Sequence, residues 1–266
     1  MKKRRIRVIY YSQSGTLRKV LGSFLEPLSK SYDVIWYPIY SKKPFPFPWT
    51  WKRFFDVLCP AIASDEIGCS CENIEVVDDD IVLLGFQPWF LSLSLPMQSF
   101  INSPLFANLV SKRDVILFTC YRNTGAIVRQ AVANKVEGNG GVIIAELEIF
   151  DHSKDFLSSI RFANWFFTGR NNPFDGMEKS IKEASTILSN TLSTKLKYRI
   201  QNKEITITKE KMILDIFQKW TRFIRPNNKV IECRLLLFQI WIVFSLIFIS
   251  PLINFIIRTS KKRNYE

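Results

Sequence analysis

The run Ser12-Gln13-Ser14-Gly15-Thr16 places three hydroxyls and a glycine directly after the apolar stretch Ile6 to Tyr11 and directly before a helical pattern. This arrangement builds a phosphate cradle. In a strand-loop-helix unit the loop N–H groups and the helix N-terminus converge on one point, and Ser and Thr hydroxyls add donors without adding charge. No lysine stands in the loop, which points away from ATP. Neither the Walker A pattern nor the dinucleotide fingerprint Gly-x-Gly-x-x-Gly reads through it. An ordinary Ser/Gly helix cap is the plainer alternative.

Two further loops follow apolar runs and carry groups able to surround a flat ring. One is Gly85-Phe86-Gln87-Pro88-Trp89-Phe90, the other Thr119-Cys120-Tyr121-Arg122-Asn123-Thr124-Gly125. The first loop of the chain resembles the flavodoxin phosphate loop, Ser/Thr-x-Ser/Thr-Gly-x-Thr. Ser12, Ser14 and Gly15 match; Leu17 stands where the last Thr belongs, with Thr16 one place early. The resemblance implies FMN, its phosphate held by Ser12, Gln13, Ser14, Gly15 and Thr16. Trp89 or Phe90, with Gln87 and Pro88 beside them, would stack on the isoalloxazine, since a flat aromatic gains dispersion and excludes water. Tyr121 would cover the other side, and Asn123 would bond the pyrimidine edge. Arg122 would set positive charge near N1 and the C2 carbonyl, favouring the anionic reduced state. Each ring reads equally well as core. His152 is the one histidine; titrating near pH 6.5, it suits a proton shuttle, or is a plain surface residue.

The elements that must position these loops are five apolar runs alternating with helical stretches: Ile6–Tyr11, Asp33–Ile39, Ile81–Phe86, Val115–Cys120 and Gly141–Ile149. Ile81-Val82-Leu83-Leu84 and Val142-Ile143-Ile144-Ala145 lack polar alternation, as strands covered on both faces do. Helices are expected near Leu17–Ser29, Pro96–Asn102, Gly125–Gly138 and Gly176–Thr194. The reading is α/β, a flavodoxin-like doubly wound parallel five-stranded sheet of order 2-1-3-4-5 over residues 1–200, with the ligand at the carboxyl ends of strands one and three.

Residues 41–78 interrupt that alternation with Lys42-Lys43-Pro44-Phe45-Pro46-Phe47-Pro48-Trp49-Thr50-Trp51. A loop this long in a small domain is functional or carries its own structure. Alternate prolines stiffen the backbone and the aromatics between them offer apolar surface, so the insertion reads as a lid over a lipophilic substrate or as a packed excursion. The cluster from Phe156 through Phe162, Trp165, Phe166 and Phe167 reads as a greasy tunnel, a membrane contact or core.

Lys+Arg number 37 against 24 Asp+Glu, a formal charge of +13. Lys2, Lys3, Arg4, Arg5 and Arg7 crowd the start, and other cations bracket residues 235–257, which hold no charge. Basic flanks on a bilayer-length apolar run point to anionic lipid, and no zinc-finger, RNP or zipper pattern supports nucleic-acid binding. Residues 234–258 are expected to form a transmembrane or re-entrant membrane helix, preceded by a basic amphipathic linker over 201–233 and followed by a basic tail over 259–266. Similar charge on both flanks leaves topology open. The start lacks a signal-peptide apolar core, so a cytoplasmic domain held at the membrane is expected. The five cysteines include no Cys-x-x-Cys pair, and with one histidine no metal site is expected. Asp78-Asp79-Asp80 reads as a solvated approach to a strand.

Taken together, Tyr10-Tyr11-Ser12-Gln13-Ser14-Gly15, Pro44-Phe45-Pro46-Phe47-Pro48-Trp49-Thr50, Gln87-Pro88-Trp89-Phe90-Leu91-Ser92, Cys120-Tyr121-Arg122-Asn123, Trp165-Phe166-Phe167-Thr168-Gly169 and Ile249-Ser250-Pro251 resemble the flavodoxin-like bacterial family named after the dialkylresorcinol condensing enzyme. The resemblance spans nearly the whole chain. It implies a role beside a ketosynthase that makes 2,5-dialkylcyclohexane-1,3-diones, which the flavodoxin-like member aromatises to dialkylresorcinols. No Cys-His-Asn ketosynthase set is present here. Aromatisation removes two electrons and two protons, with His152 as base and Arg122 as charge stabiliser. The other readings are a membrane-tethered electron carrier or NAD(P)H-quinone reductase, and a flavin-free scaffold for lipid or a ketosynthase, which Leu17 favours.

Overall fold

The computed structural model describes residues 3–72, 74–75, 79–121, 125–150, 156–172, 174–200 and 204–224, and the structural statements below are made of these. Along the chain run β1 (Arg5–Tyr10), α1 (Thr16–Leu25), a tight 3-10 turn (Glu26–Lys30), β2 (Asp33–Pro38), β3 (Tyr40–Ser41), α2 (Trp51–Ile62), β4 (Cys69–Ser70), β5 (Ile81–Phe86), β6 (Pro88–Trp89), β7 (Ser92–Leu93), α3 (Leu95–Ile101) and α4 (Pro104–Val110). Then come β8 (Asp114–Tyr121), α5 (Ala126–Gly138), β9 (Val142–Phe150), α6 (Phe156–Thr168), α7 (Glu178–Thr194) and α8 (Glu204–Ile224). Two compact units divide the chain, Met1–Leu214 and Asp215–Glu266. The sheet belongs to the first; the described part of the second is the C-terminal portion of α8.

The five long strands pair in parallel in the order β2-β1-β5-β8-β9. Numbered among themselves this is 2-1-3-4-5, the flavodoxin-like order expected from the sequence. Every residue of β5, the middle strand, is buried. Its alternate side chains feed two cores: Ile81 and Leu83 join Ile6, Val8, Phe24 and Phe118 on the α1–α7 face, while Val82 and Leu84 join Leu117, Phe106 and Val132 on the other. This two-sided burial explains why the strand carries no polar alternation. Gly85 is required by packing: a Cβ there would lie 2.7 Å from Leu21 Cδ1.

Residues 41–78 carry structure of their own: α2, whose start is capped by Thr50 Oγ1 accepting from Arg53 N at 3.2 Å, and the short β3–β4 ribbon. Several expectations need correction. Asp80 is not solvated. It is buried and accepts from Arg7 Nε at 2.5 Å and Arg5 Nε at 3.0 Å, while Arg4 pairs with Asp114. The arginines at the start therefore stitch the amino ends of β1, β5 and β8 together instead of forming a free basic patch. Residues 156–168 and 104–110 add helices that the sequence reading lacked. Among the described residues no helix is long and apolar enough to cross a membrane; the expected membrane segment 234–258 lies outside them.

Candidate functional site

At the carboxyl end of β1 the loop turns through Gly15 at φ 79° and ψ −13°. That left-handed conformation, with open space where a Cβ would stand, is the reason for glycine. The hydroxyls organise one another. Ser14 Oγ donates to Thr16 Oγ1 at 3.0 Å, Asn172 Nδ2 donates to the same oxygen at 3.0 Å, and Arg18 N–H donates to Ser12 Oγ at 3.3 Å. Leu17 is fully buried in the α1 core. It therefore takes no part in the hydroxyl set, and Thr16 supplies the hydroxyl in the first helical turn. The donor set is neutral, hydroxyl-rich and seated on a helix N-terminus, which fits a phosphate monoester.

Gln13 is committed elsewhere. Its Oε1 accepts from Trp49 Nε1 at 2.9 Å, and its Nε2 donates to Pro46 O at 3.4 Å. Trp49 is 2% exposed, its own N–H donates to Phe166 O at 3.0 Å, and its ring stacks on Phe166. The Pro-aromatic insertion is thus bonded onto the Ser12–Thr16 loop through Gln13, near the loop's centre. A cis peptide joins Phe47 and Pro48.

After β5, β6 and β7 form a hairpin with Phe90 and Leu91 at its tip, both at positive φ (53° and 66°). Bulky residues in this conformation are uncommon and cluster at functional sites. Gln87 O accepts from Ser94 N at 3.2 Å, closing the hairpin base. Trp89, which follows Pro88, meets Tyr11, Phe45 and Trp49 edge-on at 5.3 to 5.8 Å, and Phe90 meets Trp49 and Phe54. Burial pushes the Tyr11 phenol well above its usual range. Gln13, Trp89 and Phe90 are therefore gathered around Trp49, a residue the sequence marked only as part of a block.

Tyr121, at the end of β8, belongs to a different cluster. Its hydroxyl donates to Glu148 Oε2 at 2.7 Å, Arg129 pairs with that carboxylate, and Arg129 Nε lies 3.5 Å from Glu146. Burial first, and then Glu148, push the phenol upward. The Tyr121 ring packs on Gly125, where a Cβ would approach within 2.7 Å. Glu210 of α8, 4% exposed, accepts from the N–H groups of Gly125, Ala126 and Ile127 at 3.1, 3.4 and 2.8 Å. It caps α5 and occupies the positive end of its dipole. Arg122, Asn123 and His152 lie outside the described residues. No group of three or more potential metal ligands occurs among those described.

Two hollows adjoin these elements. A groove of about 270 Å³ runs from Thr16 and Asn172 between α1 and α7. A cavity of about 360 Å³ lies behind the insertion, with Phe45, Val57 and Leu95 in its wall and Asp56, Asp65 and Glu66 beside them.

No family model matches the sequence, and no curated protein matches it. Among solved structures, a Lactobacillus acidophilus flavoprotein in complex with FMN is similar at 15% identity, covering 55% of this chain and 93% of its own, with a TM-score of 0.43. The oxidised flavodoxin 1 of Bacillus cereus is similar at 9% identity over 70% of this chain and 97% of its own, with a TM-score of 0.39. A flavodoxin from the domain Archaea is similar at 16% identity over 70% of this chain and 99% of its own, with a TM-score of 0.38. The flavodoxin-like architecture assigned to this chain rests on its own parallel strand order, β2-β1-β5-β8-β9.

Proposed function

We propose that this chain is an FMN-dependent oxidoreductase that aromatises a dialkylcyclohexane-1,3-dione to a dialkylresorcinol, held at a membrane by residues 234–258. The observation that carries the reading is a cation-free hydroxyl loop, Ser12 to Thr16, bonded beneath an aromatic lid by Trp49 and Gln13. Bound FMN would supply the two-electron acceptor, taking a hydride equivalent from the ring. The chain's residues have three tasks. Ser12, Ser14 and Thr16, with the first N–H groups of α1, hold the phosphate ester. Trp89 and Phe90 wall the ring site and keep water out. His152 takes the acidic ring proton, and Arg122 would set positive charge near N1 and the C2 carbonyl of bound flavin, so that in all two electrons and two protons leave the ring.

Two alkyl chains keep such a substrate in the bilayer, which gives the C-terminal apolar run a purpose. A ketosynthase delivering the dione is the proposed partner. The test is anaerobic mixing of FMN-loaded protein with a dialkylcyclohexanedione. The proposal expects bleaching of the oxidised-flavin bands and one resorcinol formed per flavin. Bleaching by NAD(P)H with turnover of quinones, and none by the dione, would contradict it and favour the quinone reductase.

A further inference from the structure

The aromatic rings do not stop at the phosphate loop. From Tyr11 they run through Trp89, Trp49, Phe90 and Phe54 to Trp51, each within 6.2 Å of the next. Trp51, the last, is 56% exposed at the start of α2, stacked on Phe54 and tilted against Phe167 from the end of α6. A large exposed indole backed by further rings is an apolar surface that water covers poorly. Its surroundings carry both signs with cations in excess: Lys42, Lys43, Lys52 and Arg170 are exposed around the insertion and the end of α6, against Asp56, which pairs with Lys52, and Asp65 and Glu66 beyond the far end of α2. Trp with Lys and Arg at its margin is the composition that settles at a bilayer interface, with the ring among the acyl chains and the cations among phosphates.

We propose that the rim of Trp51, Phe54 and Phe167 rests on an anionic bilayer. The inference rests on the membrane reading above and adds to it which face of the α/β domain meets the lipid. Of the candidate occupants a lipid surface fits best, because the margin is basic, the chain carries +13 overall, and an apolar run of bilayer length follows in the same chain.

The test uses the full chain reconstituted in vesicles of phosphatidylglycerol and phosphatidylcholine, with p-benzoylphenylalanine replacing Trp51, or Leu196 as an exposed control outside the rim. A second reporter at Phe167 covers a Trp51 variant that does not fold. After flotation and irradiation, lipid adducts are expected at the rim in severalfold excess over the control, and the double reversal Lys52→Glu, Arg170→Glu lowers the yield severalfold. Protein that floats but forms no more adduct at the rim than at Leu196 overturns this inference and leaves the anchor standing. Protein that does not float overturns both.

Discussion

Trp49 Nε1 donates to Gln13 Oε1 at 2.9 Å, and this bond ties the middle of the Ser12–Thr16 loop to the middle of the aromatic insertion. Trp49→Phe keeps a six-membered ring but removes the donor and the pyrrole half of the indole. It should cost about 2–3 kcal/mol, about 1 of it the hydrogen bond and the rest lost packing at this buried position, and the double variant with Gln13→Ala should show a coupling of about 1 kcal/mol. Urea unfolding of the four proteins measures this, and additive losses would show that the two residues act independently.

Leu17 and Thr16 are adjacent but face different tasks. Leu17→Thr, which restores the flavodoxin pattern on paper, places a hydroxyl in the α1 core and should cost about 2–4 kcal/mol without tightening FMN. Thr16→Val and Ser14→Ala each remove a cradle hydroxyl and should weaken FMN about tenfold, or about 1.4 kcal/mol. Fluorescence titration separates the two cases.

Glu210 satisfies three backbone donors at the start of α5. Glu210→Ala leaves them in a buried position and should cost about 2–3 kcal/mol, with Glu210→Gln intermediate. Hydrogen exchange at Gly125, Ala126 and Ile127 should quicken in the alanine variant; unchanged protection would mean the cap contributes nothing.

The two raised phenols give a pH dependence. Tyr11 and Tyr121 hold their protons more tightly when folded than unfolded, so their contribution is complete below the ordinary tyrosine pKa of about 10 and falls as pH rises beyond it. The loss is at most about 1.4 kcal/mol per pH unit for each. Unfolding midpoints between pH 9 and 11 should therefore drop, and replacing either residue by Phe should flatten the slope.

The thiols follow the same logic of burial. Cys59 and Cys120 are buried and Cys69 and Cys71 partly so, with burial pushing the Cys120 thiol well up. Iodoacetamide at pH 8 should modify Cys69 and Cys71 in the folded protein before either buried thiol. Early loss of Cys120 would contradict the packing around β8.

The sheet was legible because a strand covered on both faces leaves an uninterrupted apolar run, as in Ile81–Phe86. The hydroxyl-rich turn after β1 was legible because Gly15 and its hydroxyls are contiguous. What escaped was non-local. Glu210 meets Gly125 across 85 residues, and nothing near either position announces the other. Asp80 looks like part of a solvated acidic run until Arg7 folds onto it. α2 hid behind prolines, although Thr50 ahead of Arg53 was a local capping signal, and Ser103-Pro104 was another for α4.

The central claim is that the hydroxyl loop binds FMN, and the most direct measurement is the absorption spectrum of the detergent-purified full chain after incubation with FMN and removal of the excess. The account predicts retained oxidised-flavin bands, one flavin per chain, weakened by Ser14→Ala. A colourless protein that takes up no FMN would contradict it, removing the redox function and leaving a fold that holds lipid or a partner.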